Sequence, residues 1–223
     1  MFRSLIGVLK KITPPQIKNK IIAYKDNKRS TKSRVERSAI IKNWEDQGKP
    51  IPPPHEIKQA TIEQYQASSG YKTLVETGTY FGDMIEAQRD NFDIIYSVEL
   101  SKEFWKRAVI RFKKYKNIEI IQGDSGKVLP AIVPGLKSPA IFWLDGHYSA
   151  GNTAKGDKVC PILEEIDAIL KNNYFEHILL IDDARLFTGQ NDYPTIEHLN
   201  RHIQSKNPHY QLKIKDDVLI YTC

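Results

Sequence analysis

Cysteine and long apolar runs are scarce in this chain, and their scarcity excludes several classes of protein. Only two of the 223 residues are cysteine, Cys160 and Cys223, so neither a disulfide framework nor a cysteine-based metal cluster fits the sequence. No apolar run approaches the roughly eighteen residues that a membrane-spanning helix needs. The apolar run in residues 1–11 is too short for a secretory signal, and no small-residue cleavage site follows it. We therefore expect a cytoplasmic protein.

Positive charge is concentrated in the N-terminal part of the chain. The formal net charge is +6, but residues 1–60 contain fourteen Lys and Arg against five Asp and Glu, a net charge of +9, so the remainder carries −3. The stretch KPIPPP at residues 49–54 is stiff and is the expected boundary between the two parts. The sequence predicts a basic, mostly helical segment over residues 1–54 and a main domain over residues 55–223.

The basic segment has several interpretations. Residues 2–11 carry apolar side chains at helical spacing between basic ones, a pattern that also occurs in helices that bind anionic membrane surfaces. Packing of this helix on its own domain, or on a second copy in a homodimer, is the alternative that we favour over membrane contact. Residues 25–38 are strongly basic but lack the interleaved aromatic side chains that stack on bases, so a solvated surface is favoured over a nucleic-acid interface.

From residue 73 onward, stretches typical of strands alternate with stretches typical of helices. Five strand–helix repeats predict a parallel sheet covered by helices, with right-handed crossovers. The last two predicted strands, residues 210–214 and 218–221, are separated by only three residues, which forces them to run antiparallel. The predicted fold is therefore α/β: a Rossmann-like, doubly wound, mostly parallel sheet closed by a C-terminal antiparallel hairpin, with an N-terminal helical appendage.

The stretch TLVETGTYFG, residues 73–82, has the pattern of a strand, a tight turn and the start of a helix. Gly78 allows a sharp turn and the close approach of a ligand, and Gly82 allows the helix to pack near the strand. A dinucleotide-binding turn carries a second glycine where this chain has Tyr80, and Glu76 would repel a diphosphate. The same carboxylate suits the ammonium group of S-adenosylmethionine. This cofactor is expected to bind at Glu76, Gly78, Tyr80 and Gly82. A glycine turn of an ordinary α/β protein is the alternative for this motif alone, and the rest of the chain must decide between them.

Polar residues also follow the next two predicted strands, at the edge where α/β sheets bind ligands. Glu99 lies twenty-one residues after Gly78 and can accept hydrogen bonds from both ribose hydroxyls, which requires two acceptor oxygens. Asp124 and Ser125 follow the third strand and are expected at the adenine edge of the cofactor. Capping of the following helix by either residue is an equally good interpretation, and the two roles are compatible.

A second group of acids, Asp145, Asp182 and Asp183, follows the fourth and fifth predicted strands. Three carboxylates at neighbouring strand ends repel one another unless a cation neutralises them. Oxygen ligands select Mg²⁺ or a similar hard divalent cation. The sequence therefore predicts a metal site formed by the three aspartates. Arg185, close behind the pair, is a candidate for contact with substrate.

Five stretches in order along the chain, ETGTYFG, SVELS, IIQGDS, FWLDGHYS and LLIDDARLF, resemble motifs of class I S-adenosylmethionine-dependent methyltransferases. Within that class, the resemblance is to the divalent-cation-dependent O-methyltransferases that act on catechols, caffeoyl thioesters and antibiotic sugars. It covers residues 55–223 and leaves the basic segment outside. It implies that Glu99 binds the ribose and that the metal ligands are Asp145, Asp182 and Asp183.

The catalytic base departs from the catechol-type pattern. Those enzymes have a lysine three residues after the metal aspartate, where this chain has Tyr148. A histidine close behind the metal aspartate, as His147 is two residues after Asp145, resembles the sequence of the sugar-modifying branch. A neutral imidazole can accept a proton near neutral pH. We therefore assign His147 as general base beside Asp145, with the hydroxyl of a sugar, glycan or similar small molecule as acceptor. A purely structural role for His147 is the alternative.

Other functions stay open. A metal-independent methyltransferase acting on RNA or lipid would keep the cofactor motifs, and so would a binding protein that retains the fold without catalysis. An NAD(P)-dependent oxidoreductase is disfavoured by Tyr80 and Glu76. A hydrolase is disfavoured because GHYSAG, residues 146–151, lacks the spacing of a nucleophile elbow.

Overall fold

The computed structural model describes residues 34–146, 159–171 and 174–223. No helix within these ranges is both long and apolar enough to cross a membrane. Numbered along the described residues, the helices are α1 (Arg34–Asp46), α2 (His55–Ser69), α3 (Asp83–Gln88), α4 (Lys102–Phe112), α5 (Ser125–Ile132), α6 (Ile162–Leu170) and α7 (Ile196–Lys206). The strands are β1 (Thr73–Thr77), β2 (Ile94–Glu99), β3 (Ile118–Gln122), β4 (Ala140–Leu144), β5 (Ile178–Ile181), β6 (Gln211–Lys215) and β7 (Val218–Thr222).

Seven strands form one sheet in the order β3-β2-β1-β4-β5-β7-β6. The first five strands pair in parallel, and β7 lies antiparallel between β5 and β6. The strand order reverses between β1 and β4, and ligands of such sheets bind in the crevice outside the carboxyl ends of strands at that point. The predicted mostly parallel α/β sheet with an antiparallel C-terminal hairpin is confirmed.

The central strands are buried along their whole length. Every residue of β1, β4 and β5 is buried, as expected for parallel strands covered by helices on both faces. Successive side chains of β4 point to opposite faces. Phe142 therefore packs with Val75 and Leu179 in one core cluster, and Trp143 packs with Leu180 in the other. This rigid centre fixes the positions of the residues that follow β1, β4 and β5.

Polar caps set the start of several helices. The side chains of Ser101, Asp124 and Thr195 each accept a hydrogen bond from a backbone N–H in the first turn of α4, α5 and α7, respectively. A proline at residue 54 precedes α2, where no backbone donor is required. These local signals explain why the helix starts agree with the sequence pattern.

Helix α1 packs against α2. Arg37 donates two hydrogen bonds to the Glu63 carboxylate, from Nη1 to Oε1 at 2.7 Å and from Nη2 to Oε2 at 2.9 Å. Trp44 is buried, and its Nε1–H donates to the carbonyl oxygen of Pro50 at 2.8 Å. The predicted division between basic segment and main domain stays a prediction, and the predicted helix at residues 2–11 lies outside the described residues.

Candidate functional site

The turn after β1 brings two strand ends into direct contact. Gly78 has φ +87°, and a Cβ atom there would lie 2.3 Å from the carbonyl oxygen of Asp145. The Asp145 N–H donates to the carbonyl oxygen of Thr77 at 3.2 Å, and the Gly78 N–H donates to that of Val98 at 2.9 Å. A side chain at residue 78 would therefore push the β4 end away from β1. The glycine places Asp145 beside the turn.

Two further residues of the turn pack against α4. Tyr80 adopts a left-handed conformation with φ 49°, and its ring centroid lies 4.1 Å from that of Phe81 and 4.8 Å from that of Phe104. Gly82 has φ +79°, and a Cβ atom there would lie 2.6 Å from a ring carbon of Phe112. We expected Gly82 to allow close packing on the strand, but the close contact is with α4.

Glu99, the last residue of β2, binds one backbone amide of this turn and one just beyond its own strand. Its Oε2 accepts a hydrogen bond from the Tyr80 N–H and its Oε1 accepts one from the Ser101 N–H, both at 2.7 Å. Burial raises the pKa of Glu99, while the two amide hydrogen bonds act in the opposite direction. Because each carboxylate oxygen has two acceptor positions, each keeps one that could accept from a ribose hydroxyl.

Glu76 is a buried carboxyl group whose pKa is strongly shifted. Its Oε2 accepts from the Ser97 hydroxyl, which also lies 2.6 Å from the hydroxyl oxygen of Thr79. Burial raises the pKa of Glu76 to about 8; the nearby carboxylates of Glu99 and Asp83 add to the rise, and the Ser97 hydrogen bond opposes it. Glu76 is therefore mostly protonated at neutral pH, and a bound cation would favour its ionised form.

Asp124 and Ser125 lie at the start of α5. The Asp124 Oδ1 accepts from the Gly126 N–H at 3.1 Å, so this side chain caps the helix. Ser125 is buried, and its hydroxyl oxygen would lie 3.0 Å from a Cβ atom at Gly146. In the structure, Asp124 therefore caps α5, as one of its two interpretations expected. Contact of Asp124 or Ser125 with adenine stays a prediction.

A cavity of about 790 Å³ opens between the carboxyl end of β1 and the helices α1, α2 and α3. Its size falls in the range of small-molecule sites. Five lining residues carry carboxyl groups and two carry guanidinium groups, so the cavity favours a cationic ligand. Of the predicted site residues, Glu76, Gly78, Tyr80 and Asp145 line it. Among the described residues, the site candidates outside this lining are Gly82, Glu99, Asp124, Ser125, Asp182, Asp183 and Arg185.

The three aspartates of the predicted metal site converge. One carboxylate oxygen from each of Asp145, Asp182 and Asp183 lies within 4.8 Å of the other two. Burial raises the pKa of Asp145, and repulsion by the Asp182 carboxylate adds to the rise. Burial likewise raises the pKa of Asp182. Since all three donors are carboxylate oxygens, the set suits a hard divalent cation such as Mg²⁺.

Lys58 of α2 is a member of this cluster that the sequence analysis missed. Its ammonium group pairs with the Asp182 carboxylate, and its Nζ lies 3.3 Å from Asp183 Oδ1. Burial lowers the pKa of Lys58, but attraction to the carboxylates, Asp182 first, outweighs that effect and raises the pKa overall. The sequence shows only that Lys58 lies beside Ile57 in a predicted helix, and this does not point to the aspartates.

Arg185 contacts protein carboxylates on the other side of the cluster. Its Nη1 donates to Asp183 Oδ1 at 2.8 Å and also pairs with Asp217, and its backbone N–H donates to Asp217 Oδ1 at 2.9 Å. Asp217 lies in the turn between β6 and β7, so the C-terminal hairpin holds Arg185 beside Asp183. The candidate role of Arg185 in substrate contact stays a prediction, and its observed partners are these two aspartates.

The predicted general base, His147, lies outside the described residues, as do residues 148–158. Its role stays a prediction. The backbone of Asp145 lies next to the turn after β1.

Comparison with known proteins identifies the fold. No family model matches the chain, and a search of curated proteins found no match. Solved methyltransferases do match. An O-methyltransferase from Bacillus cereus, in complex with SAH, is 10% identical with a TM-score of 0.57, over 86% of this chain and 93% of that one. TomG, the O-methyltransferase of tomaymycin synthesis from Streptomyces achromogenes, in complex with SAM, is 12% identical with a TM-score of 0.52, over 85% and 89%.

An N-methyltransferase matches to a similar degree. NodS from Bradyrhizobium japonicum is 12% identical with a TM-score of 0.51, over 75% of this chain and 95% of that one. Taken together, the likenesses show that the chain has the class I methyltransferase fold. Since structures of both O- and N-methyltransferases match, the likeness does not select the acceptor atom.

The Gly78 contact predicts a specific loss of stability. Gly78→Ala should lower the free energy of unfolding by more than Gly48→Ala, because both residues have a positive φ but only Gly78 faces a backbone atom. Left-handed backbone alone costs an alanine about 1–2 kcal/mol, and this is the change expected for Gly48→Ala. Urea unfolding of both variants measures the difference. Equal losses would contradict the assigned contact.

Glu76 predicts a pH-dependent stability. Its folded-state pKa of about 8 lies above the ordinary glutamate value, so the folded state binds more protons than the unfolded state and stability falls as pH rises toward 8. Glu76→Gln should therefore gain stability relative to wild type across that interval, on the order of 1.4 kcal/mol for each unit of pKa shift. Unfolding free energies from pH 4.5 to 8.5 test this. Glu119→Gln, at an exposed position of β3, should reproduce the wild-type curve.

Proposed function

We propose that the chain is an S-adenosylmethionine-dependent methyltransferase. The observation that carries the proposal is the arrangement of Glu99. One of its oxygens accepts the Tyr80 amide of the turn after β1, which lines an acidic cavity, and the other accepts the Ser101 amide after β2. An acid held in this way keeps acceptor capacity for a pair of neighbouring hydroxyls. Solved methyltransferases with SAM or SAH bound share the fold.

The charge of the cavity suits this cofactor. S-adenosylmethionine carries a sulfonium and an ammonium group, and neither repels the carboxyl groups of the lining. Glu76, buried at the base of the cavity, is the group proposed to accept the ammonium N–H donors. A dinucleotide would instead bring a diphosphate to the same carboxyl groups, which disfavours the oxidoreductase alternative.

The proposed reaction is O-methylation of a sugar, glycan or similar small molecule. The acceptor oxygen attacks the methyl carbon in line with the departing sulfur; a C–O bond forms, the S–C bond breaks, and S-adenosylhomocysteine leaves as product. The acceptor proton passes to a base, for which His147 is the proposed residue. Asp145, two residues before this histidine, has its backbone next to Gly78.

Asp145, Asp182 and Asp183 are the residues proposed to bind a divalent cation, and their oxygen-only donor set supports this. Bound there, Mg²⁺ would lower the pKa of a coordinated hydroxyl and stabilise the developing alkoxide. Metal-independent methyl transfer is a second candidate. It is favoured by the ion pairs of Lys58 with Asp182 and Asp183, since an internal cation already neutralises part of the cluster.

Cofactor binding is the first test. Isothermal titration calorimetry should detect binding of S-adenosylmethionine and S-adenosylhomocysteine and much weaker binding of NAD⁺ or NADP⁺. Wild type should bind S-adenosylhomocysteine more tightly than its 2′-deoxy analogue, because Glu99 is proposed to accept a hydrogen bond from the ribose 2′-hydroxyl. The Glu99→Gln variant should bind S-adenosylhomocysteine about tenfold more weakly and should lose most of this preference. Glu119→Gln is the matched control. Absence of binding to both methionine-derived ligands would reject the proposed function.

Metal dependence is the second test. Formation of S-adenosylhomocysteine from S-adenosylmethionine is measured with a panel of sugar, glycan and phenolic acceptors, in Mg²⁺ and in EDTA. If the aspartates bind the catalytic ion, EDTA should abolish turnover and Asp145→Asn should lower it by about 10²-fold or more. Turnover that is equal in EDTA would reject the metal and leave the metal-independent candidate.

A further inference from the structure

Lys58 places a positive charge among the three aspartates from a distant part of the chain. It lies on α2, more than one hundred residues before Asp182, and its ammonium group pairs with Asp182 and lies 3.3 Å from Asp183 Oδ1. The Lys58 side chain is only 16% exposed, and that of Asp182 is fully buried. A contact of this kind holds the ammonium group inside the cluster rather than at its solvent surface.

The second cation of the cluster occupies a different position. Arg185 binds Asp183 from the side of the β6–β7 turn, where Asp217 holds its guanidinium group and its backbone. Arg185 pairs with Asp183, whereas Lys58 pairs with both Asp182 and Asp183 from the side of α2. Lys58 therefore reaches the buried carboxylate of Asp182 as well as that of Asp183.

A divalent cation bound by the three aspartates would share two of its carboxylates, those of Asp182 and Asp183, with Lys58. All three donor oxygens lie within 4.8 Å of one another, a space in which an ammonium group and a divalent ion repel strongly. The two cations are therefore alternative occupants of one site.

We propose that Lys58 is a tethered competitor of the divalent cation: its ammonium group occupies the site when no ion is bound and must withdraw when an ion binds. The inference rests on the metal part of the proposed function and makes Lys58 a residue that sets metal affinity. Because Lys58 is attached to α2, its ammonium group has a high effective concentration at the carboxylates, so the wild-type site binds divalent ions weakly. The ion-free cluster keeps a compensating charge.

Mn²⁺ binding to the full-length protein tests the competition without cofactor or acceptor. Free Mn²⁺ is measured by electron paramagnetic resonance during titration of wild type, Lys58→Met and Lys58→Arg. Lys58→Met keeps an apolar stem of similar length but no charge, and should bind Mn²⁺ at least about tenfold more tightly than wild type. Lys58→Arg keeps the charge and should bind weakly. Lys106→Met, at an exposed position of α4, is the matched control and should match wild type.

The outcomes separate cleanly. Tighter Mn²⁺ binding by Lys58→Met alone supports the proposal. Mn²⁺ binding by Lys58→Met that is equal to or weaker than that of wild type overturns it. Absence of Mn²⁺ binding in both wild type and Lys58→Met also overturns it. Binding of S-adenosylmethionine is measured on the same samples by calorimetry. Failure of cofactor binding would reject the methyltransferase proposal and leave the Mn²⁺ result standing.

A second measurement uses wild type alone and does not depend on the folding of a variant. Acetylation of Lys58 by acetic anhydride is followed by peptide mass spectrometry at increasing Mg²⁺. Withdrawal of the ammonium group from the carboxylates should speed acetylation of Lys58 severalfold and saturate with Mg²⁺, while acetylation of Lys106 stays constant. The proposal would be overturned if the rate of Lys58 acetylation did not change with Mg²⁺ over the concentration range in which the protein binds Mn²⁺.

Discussion

Buried negative charge at the carboxyl end of the sheet is the constraint on which the rest of this structure depends. Glu76, Glu99, Asp182 and Asp183 are all less than a tenth exposed, and Asp145 lies among them. Removing carboxylates from water is costly unless protons, hydrogen-bond donors or cations compensate. The turn after β1 supplies a backbone donor to Glu99, and α2 supplies the ammonium group that pairs with Asp182. The C-terminal hairpin acts indirectly, because its Asp217 pairs with Arg185, which pairs with Asp183.

Much of the fold could be predicted because its signals are local. The bounds of α2, α5 and β4 agree with the apolar patterns of residues 55–69, 125–132 and 140–144. The convergence of acids at one edge could also be predicted, since parallel strands bring their carboxyl ends together wherever they lie in the chain. The convergence of Asp145 with Asp182 follows from the pairing of β4 beside β5.

The missed features depend on contacts between distant parts of the chain. Lys58 carries no apolar periodicity of its own, and its partner Asp182 is known only once α2 has packed beside the sheet. The bond of Arg185 to Asp217 requires the antiparallel hairpin to return beside β5. Gly82 shows the same limit, because its φ is a local property but its neighbour Phe112 comes from another helix.

The two halves of the acidic edge are compensated in different ways, and this difference bears on the ligands they suit. Around the turn after β1, Glu76 is compensated by protonation and Glu99 by backbone amides. Between β4 and β5, Asp182 is compensated by a side-chain cation. A buried proton can leave when an organic cation arrives, and three carboxylate oxygens match the donor set of a small hard ion. The two halves of the edge therefore differ in the kind of cation that they suit.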